Sequence, residues 1–165
     1  VSLRHQNWIV DVDRATGDVR WILGDGGDFT LADGAEGPAE WFYSQHAPTM
    51  ESDGTILVYD NGNERPDAPD SYSRAVRYLL DEDAMTATQV WSYPVEHYTI
   101  FLGDAVSLED GGALVCAGGV LGTEPPADVL EVQADPLAPV RWRVSYGAKT
   151  VVYRAKRIAS FYPQE

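Results

Sequence analysis

Residues 44–65 read "SQHAPTMESDGTILVYDNGNER". An alternating stretch, an Asp53-Gly54 pair and the β-rich apolar run "TILVYD" follow one another, the pattern of an antiparallel hairpin. The design recurs at 103–119, "GDAVSLEDGGALVCAGG", with the same Asp-Gly turn and apolar second strand. Three further stretches share another pattern: "IVDVDRATGDVRW" ends at Trp21, "YLLDEDAMTATQVW" at Trp91 and "VLEVQADPLAPVRW" at Trp142. Each alternates, turns through polar residues, and closes on Val and Trp. No window holds a 3.6-residue period, so the expected class is all-β with few or no helices.

Joined, the two patterns form a four-stranded antiparallel meander of blade size, which predicts a β-propeller. One unit takes strands near 46–52, 55–60, 73–80 and 88–94; the next takes 103–108, 113–117, 127–132 and 139–146. Residues 1–21 supply the later strands of a preceding unit, and 151–160, "VVYRAKRIAS", a closing strand. About two whole blades and two partial ones result, in a single partial propeller domain. Two blades cannot close a ring, and open edges invite pairing. The expectation is a part of a larger six-bladed ring, its missing half a preceding segment or a second chain. A β-sandwich built from the same strands is the alternative. The segment 24–45 is rich in Gly and Asp and reads as a surface loop. Its Asp25, Asp28 and Asp33 match no standard calcium loop, and no metal or cofactor pattern is read elsewhere.

The 165 residues are 44% hydrophobic and carry a formal net charge of −14. So acidic a chain repels phosphate backbones and anionic membrane surfaces. No apolar run of spanning length occurs. The N-terminal "VSLRHQNWIV" has neither an initiating Met nor a signal-peptide pattern and reads as processed or truncated. Cys116, the one cysteine, sits in "ALVCA" and reads as a buried packing thiol.

A two-residue Asp53-Gly54 turn places Ser52 opposite Thr55 and therefore His46 opposite Asn61. His46, Asp60, Asn61, Asn63 and Arg65 then gather at one end of the hairpin, a channel mouth if the hairpin's first strand is innermost. In the 103–119 copy, Gly103, Ala117 and Gly118 replace His46, Asp60 and Asn61, whereas the turn and apolar strand are kept. Folding of the hairpin does not need the polar set, which marks it as a candidate site. The opposing reading is a histidine at a strand end and an arginine bridging nearby acids. By its place in the first unit, "VSLRHQN" brings Arg4 and His5 to the same mouth. His97, in "PVEHYTIF", lies in the link before the third unit. Trp41, Phe42, Tyr43 and Tyr72 are aromatic groups for packing on a ring.

The segments "SLRHQNWIVDVDRATGDVRWILGD", "QHAPTM…DGTILVYDNGNER", "YSRAVRYLLDE…QVWSYP" and "YRAKRIASFYP" together resemble the bacterial arylsulfotransferase family, C-terminal half. The resemblance implies a six-bladed propeller that moves a sulfuryl group from an aryl sulfate to a phenol. It implies a sulfohistidine intermediate and a periplasmic or secreted location. His46 and Arg65 carry over as catalytic residues by motif, with His5 part of the pattern. Neutral imidazole is a competent nucleophile, and a second histidine would take a phenol's proton. Arginine offers paired donors to sulfate oxygens; Arg4, Asn61 and Asn63 are further candidate contacts, with Tyr43 against the ring. The resemblance puts the sulfated histidine on an inner strand after Arg65, where this chain has Gly103-Asp104. Two other classes compete: a secreted, non-catalytic binding or surface propeller, and a quinone-dependent dehydrogenase propeller whose calcium and quinone contacts are missing from the Trp motifs.

Overall fold

A computed structural model describes residues 1–32, 40–66, 71–119, 127–147 and 149–158. Three sheets form. The first is the meander β1 (Ser2–Leu3), β2 (Trp8–Val12) and β3 (Val19–Leu23). In the second, β5 (His46–Met50), β6 (Thr55–Asp60), β7 (Arg74–Asp81) and β8 (Thr86–Pro94) follow in order, and β4 (Thr30–Ala32) adds a fifth strand parallel to β8. The third is β9 (Asp104–Ser107), β10 (Ala113–Ala117), β11 (Asp128–Val132) and β12 (Trp142–Ser145). All other pairings are antiparallel. Among the described residues the only helical element is a 3-10 turn, Arg4–Gln6. The chain is all-β, with several antiparallel sheets and, among the described residues, no closed barrel.

The near-continuous apolar runs are explained by burial on both faces. Alternate residues of β6 point opposite ways: Ile56 and Val58 join Ile9, Trp21 and Leu23 of the first sheet in one core. Leu57 and Tyr59 join Ala105, Val115 and Leu130 of the third sheet in another. Beyond the third sheet, Leu114, Cys116 and Val129 meet Val152 and Ala155 of the C-terminal segment. Cys116 is buried, as its setting in "ALVCA" predicts.

The three repeated tryptophans occupy matching ladder positions in the last antiparallel strand of each meander: Asp11 opposite Trp21, Arg77 opposite Trp91, Glu131 opposite Trp142. Their surroundings differ. Trp21 is 4% exposed beneath the second sheet, whereas Trp142 is 48% exposed.

Two local expectations are corrected. Segment 24–45 is not a plain surface loop: β4 pairs with β8, and Phe29 and Phe42 are buried in the first core. Its apolar pairs outweigh the Gly and Asp between them; Asp33 lies outside the described residues. The turn is not a two-residue one. Glu51 N–H donates to Thr55 O, leaving Ser52, Asp53 and a left-handed Gly54 (φ +85°) as a three-residue loop. Residues 151–158 pair in a ladder with no described strand of this chain. Val152 makes one backbone bond to Gly118 and lies across the third sheet's outer face. Residues 159 and 160 lie outside the described residues.

Candidate functional site

The corrected turn shifts the register, and a bulge shifts it again. Met50 faces Ile56 and Thr49 faces Leu57, but His46 faces Tyr59 rather than Asn61. The irregularity falls at Ala47-Pro48, where Ala47 holds φ +48°. Ser44 is also left-handed, at φ +54°. A left-handed conformation costs a non-glycine residue about 1–2 kcal/mol, so the surroundings must hold the intervening pair in place. Gln45 is 1% exposed, and its amide donates to Trp8 O and Ser2 Oγ. Ser44 N–H donates to Asn7 Oδ1 at 2.7 Å.

His46 thus meets Asn61 through side chains instead of through the ladder, at 2.6 Å between Nδ1 and Oδ1. Asn61 is fully buried, and its amide nitrogen donates to Thr99 O at 2.8 Å and to Leu102 O at 2.9 Å. Two carbonyl partners leave Oδ1 as the acceptor. Neutral His46 must therefore carry its proton on Nδ1, and Nε2 presents a lone pair. No hydrogen bond to Nε2 is present among the described residues. Burial, chiefly, and then the positive charge of Arg4 hold the imidazole pKa below its ordinary 6.5, against the raising effect of the Asn61 bond.

Arg4 and Asn63 converge on one carbonyl: Arg4 Nη2 and Asn63 Nδ2 donate to Ile100 O at 2.8 and 2.9 Å. Asn63 Oδ1 is buried with no partner among the described residues. These two residues, with His5, Asn7, Ser44 and Glu64, line a polar cavity of about 260 Å³. His5 is exposed, its Nδ1 3.5 Å from Arg4 Nη1.

Arg65 points elsewhere. Its side chain is 2% exposed, with Nη2 2.6 Å from Asp60 Oδ2 and Nη1 donating to Trp41 O. Asp60, fully buried, also takes Arg74 Nε at 2.9 Å and accepts Tyr43 N–H through its other oxygen. Arg74 Nη2 and the Tyr78 hydroxyl both donate to Glu40 O. The Arg65 guanidinium also lies 4.4 Å from the Tyr72 ring centroid. Residues 40–43 are clamped to the second sheet by this cluster, the arginine-to-acid arrangement weighed against an anion-binding role. Tyr43 donates to Asp25, and burial, reinforced by that carboxylate, pushes its phenol up to about 12. His97 lies 4.0 Å from Glu96, which pairs with Arg143 of the third sheet; among the described residues it makes no bond with His46. Arg74 was not singled out by sequence reasoning, although "YSR" stands in the motif set. Nor was Asp104, masked by its neighbour Gly103.

Fold and site together define an all-β protein of repeated meanders, with a tautomer-locked histidine beside an arginine-bearing polar cavity. A profile described as Arylsulfotransferase (ASST) matches residues 1–161, and the chain belongs to this family. Over 74 residues it is 36% identical to a protein of Escherichia coli O6:H1 named arylsulfate sulfotransferase AssT, covering 42% of this chain and 12% of that protein. A protein of the same name from Lelliottia amnigena is 37% identical over 62 residues, 34% of this chain and 10% of the relative. The matched stretches thus span about a tenth of these relatives' length.

Proposed function

We propose that the chain acts in sulfuryl transfer from an aryl sulfate to a phenol, with His46 Nε2 as the group that takes the sulfuryl. The observation that carries this reading is the Asn61 lock, which leaves Nε2 of a neutral imidazole as the free nucleophile. In the first step Nε2 attacks sulfur, the S–O bond to the aryl group breaks, and phenolate leaves. In the second, a phenol oxygen loses its proton to a base and attacks the sulfur, and the S–N bond electrons return to the imidazole. Arg4, Asn63 and His5 surround the polar cavity suited to the sulfuryl oxygens. Arg65 serves from behind, holding Trp41 and Tyr43 in place.

The three sheets read as successive blades of a β-propeller. Support comes from their meander order, the matched tryptophans and the two cores stacked between them. A periplasmic or secreted location accompanies this reading. One observation favours a non-catalytic binding module instead: β9 opens on Asp104, without the histidine that the family resemblance expects.

The test is release of phenol from an aryl sulfate by the full chain, with and without a phenol acceptor. The expected result is turnover that His46→Asn abolishes, with an SO₃ adduct on His46 in acceptor-free, quenched protein. Saturable aryl sulfate binding without turnover would establish the binding module.

A further inference from the structure

β5 and β9 open with side chains of different chemistry at one equivalent place. His46 lies opposite Tyr59 and Asp104 opposite Cys116. Tyr59 and Cys116 are themselves matched in the repeat "LVYDNG"/"LVCAGG". The bulge at Ala47-Pro48 is why the unshifted repeat pairs His46 with Gly103 instead. β5 and β9 are spatial neighbours.

Asp104 is 8% exposed, and no side chain donates to its carboxylate among the described residues. It borders a cavity of about 370 Å³ with Thr49 and the apolar groups of Ala47, Pro48, Val106 and Ala155. Arg154 and Lys156, from the C-terminal segment, complete the wall. The volume lies in the range of small-molecule sites, and apolar walls around a carboxylate and two cations suit an aromatic hydroxyl compound. Ala47, which lines the cavity, is the residue after His46 at the bulge of β5. Arg154 is close enough to both groups to act on each: it adds to the lowering of the His46 pKa and opposes the rise that burial imposes on Asp104.

We infer that this cavity is the acceptor site and that the Asp104 carboxylate takes the phenol's proton, an assignment resting on the sulfuryl-transfer reading above. The phenol O–H bond breaks and its proton passes to Asp104. The phenol oxygen forms a bond to the sulfur carried on His46 Nε2. The S–N bond breaks with its electron pair returning to the imidazole, the new aryl sulfate leaves, and Asp104 gives its proton to water. Arg154 steadies the negative charge gathering on the phenol and sulfuryl oxygens.

The experiment compares the full chain with Asp104→Asn across phenols of graded acidity. A positioned base typically supplies 10²–10⁴-fold, so transfer to weakly acidic phenols should fall about a hundredfold or more. Phenols already ionised at the assay pH should lose little. An equal loss for both kinds would overturn the base assignment, since a structural role cannot sense acceptor ionisation. A second arm reads phenol binding by ligand-observed NMR without turnover. Val106→Trp fills the cavity and should abolish binding; unchanged binding overturns the site. If the wild-type chain releases no phenol from aryl sulfates, the sulfuryl-transfer reading and the base role fall together. The binding arm then decides whether the cavity is a phenol site.

Discussion

Burial, the Asn61 bond and nearby arginines set the chemistry of His46. Asn61 fixes its proton, burial disfavours its charge, and Arg4 disfavours it further. Titration of the His46 ring by NMR should give a pKa below 6.5. Arg4→Gln removes one lowering influence, so the midpoint should move to higher pH; a downward or absent shift contradicts the electrostatics described. The sign carries over to stability. The unfolded chain takes a proton near pH 6.5 before the folded chain does, so this group lowers stability as pH falls from there to the folded value. Asn61→Ala should cost about 1–3 kcal/mol by urea unfolding, because the Thr99 and Leu102 carbonyls lose their donor. It should also release the histidine tautomer, seen in the ring ¹⁵N shifts. The sequence marked His46 and Asn61 as neighbours, and their side chains do meet. Direct ladder pairing does not join them, because a three-residue turn and a bulge at Ala47-Pro48 both shift the register, and residue types alone do not reveal either.

At the scale of elements, segment 40–43 and the second sheet are joined by charge. Asp60 is fully buried between Arg65 and Arg74, whose side chains are 2% and 4% exposed. Asp60→Ala leaves two buried guanidinium groups short of a counter-charge and should destabilise by about 3–5 kcal/mol in denaturant unfolding. Arg65→Ala should cost less, because Arg74 still pairs with Asp60. Were the two losses equal, the clamp would not depend on the shared carboxylate. Gly103 matters to the same architecture. It holds φ +109°, and an added Cβ would stand 2.2 Å from the Tyr59 ring. Gly103→Ala should therefore lose stability by about 1–3 kcal/mol. The glycine opposite the histidine in the unshifted repeat is itself required for packing, which a comparison of repeat copies by residue type does not reveal.

For the whole molecule, the three repeated tryptophans show how one sequence signal acquires different energies. Trp21 is covered by the next sheet and Trp142 is half open. Trp21→Ala should cost about 3–5 kcal/mol. Trp142→Ala should stay within about 1 kcal/mol, as surface changes do. Denaturant unfolding of the two variants checks the contrast; equal losses would mean that Trp142 is buried in solution, as self-association would produce. Concentration-dependent sedimentation distinguishes that outcome.

By itself the sequence determined the all-β class, most strands, the order of the meanders and the polar set near His46. These follow from short-range alternation, turn residues and a repeat, all legible in residue order alone. Only the tertiary structure decided that β4 joins the second sheet in parallel and that Arg65 turns inward to Asp60. It also decided that segment 151–158 lies across the third sheet's outer face. It alone aligned Asp104 with His46. Such outcomes depend on which distant groups satisfy each other once buried, as where Arg4 reaches the carbonyl of Ile100, 96 residues away. Local pattern carries no record of those partners, because burial and hydrogen-bond satisfaction are properties of the assembled chain.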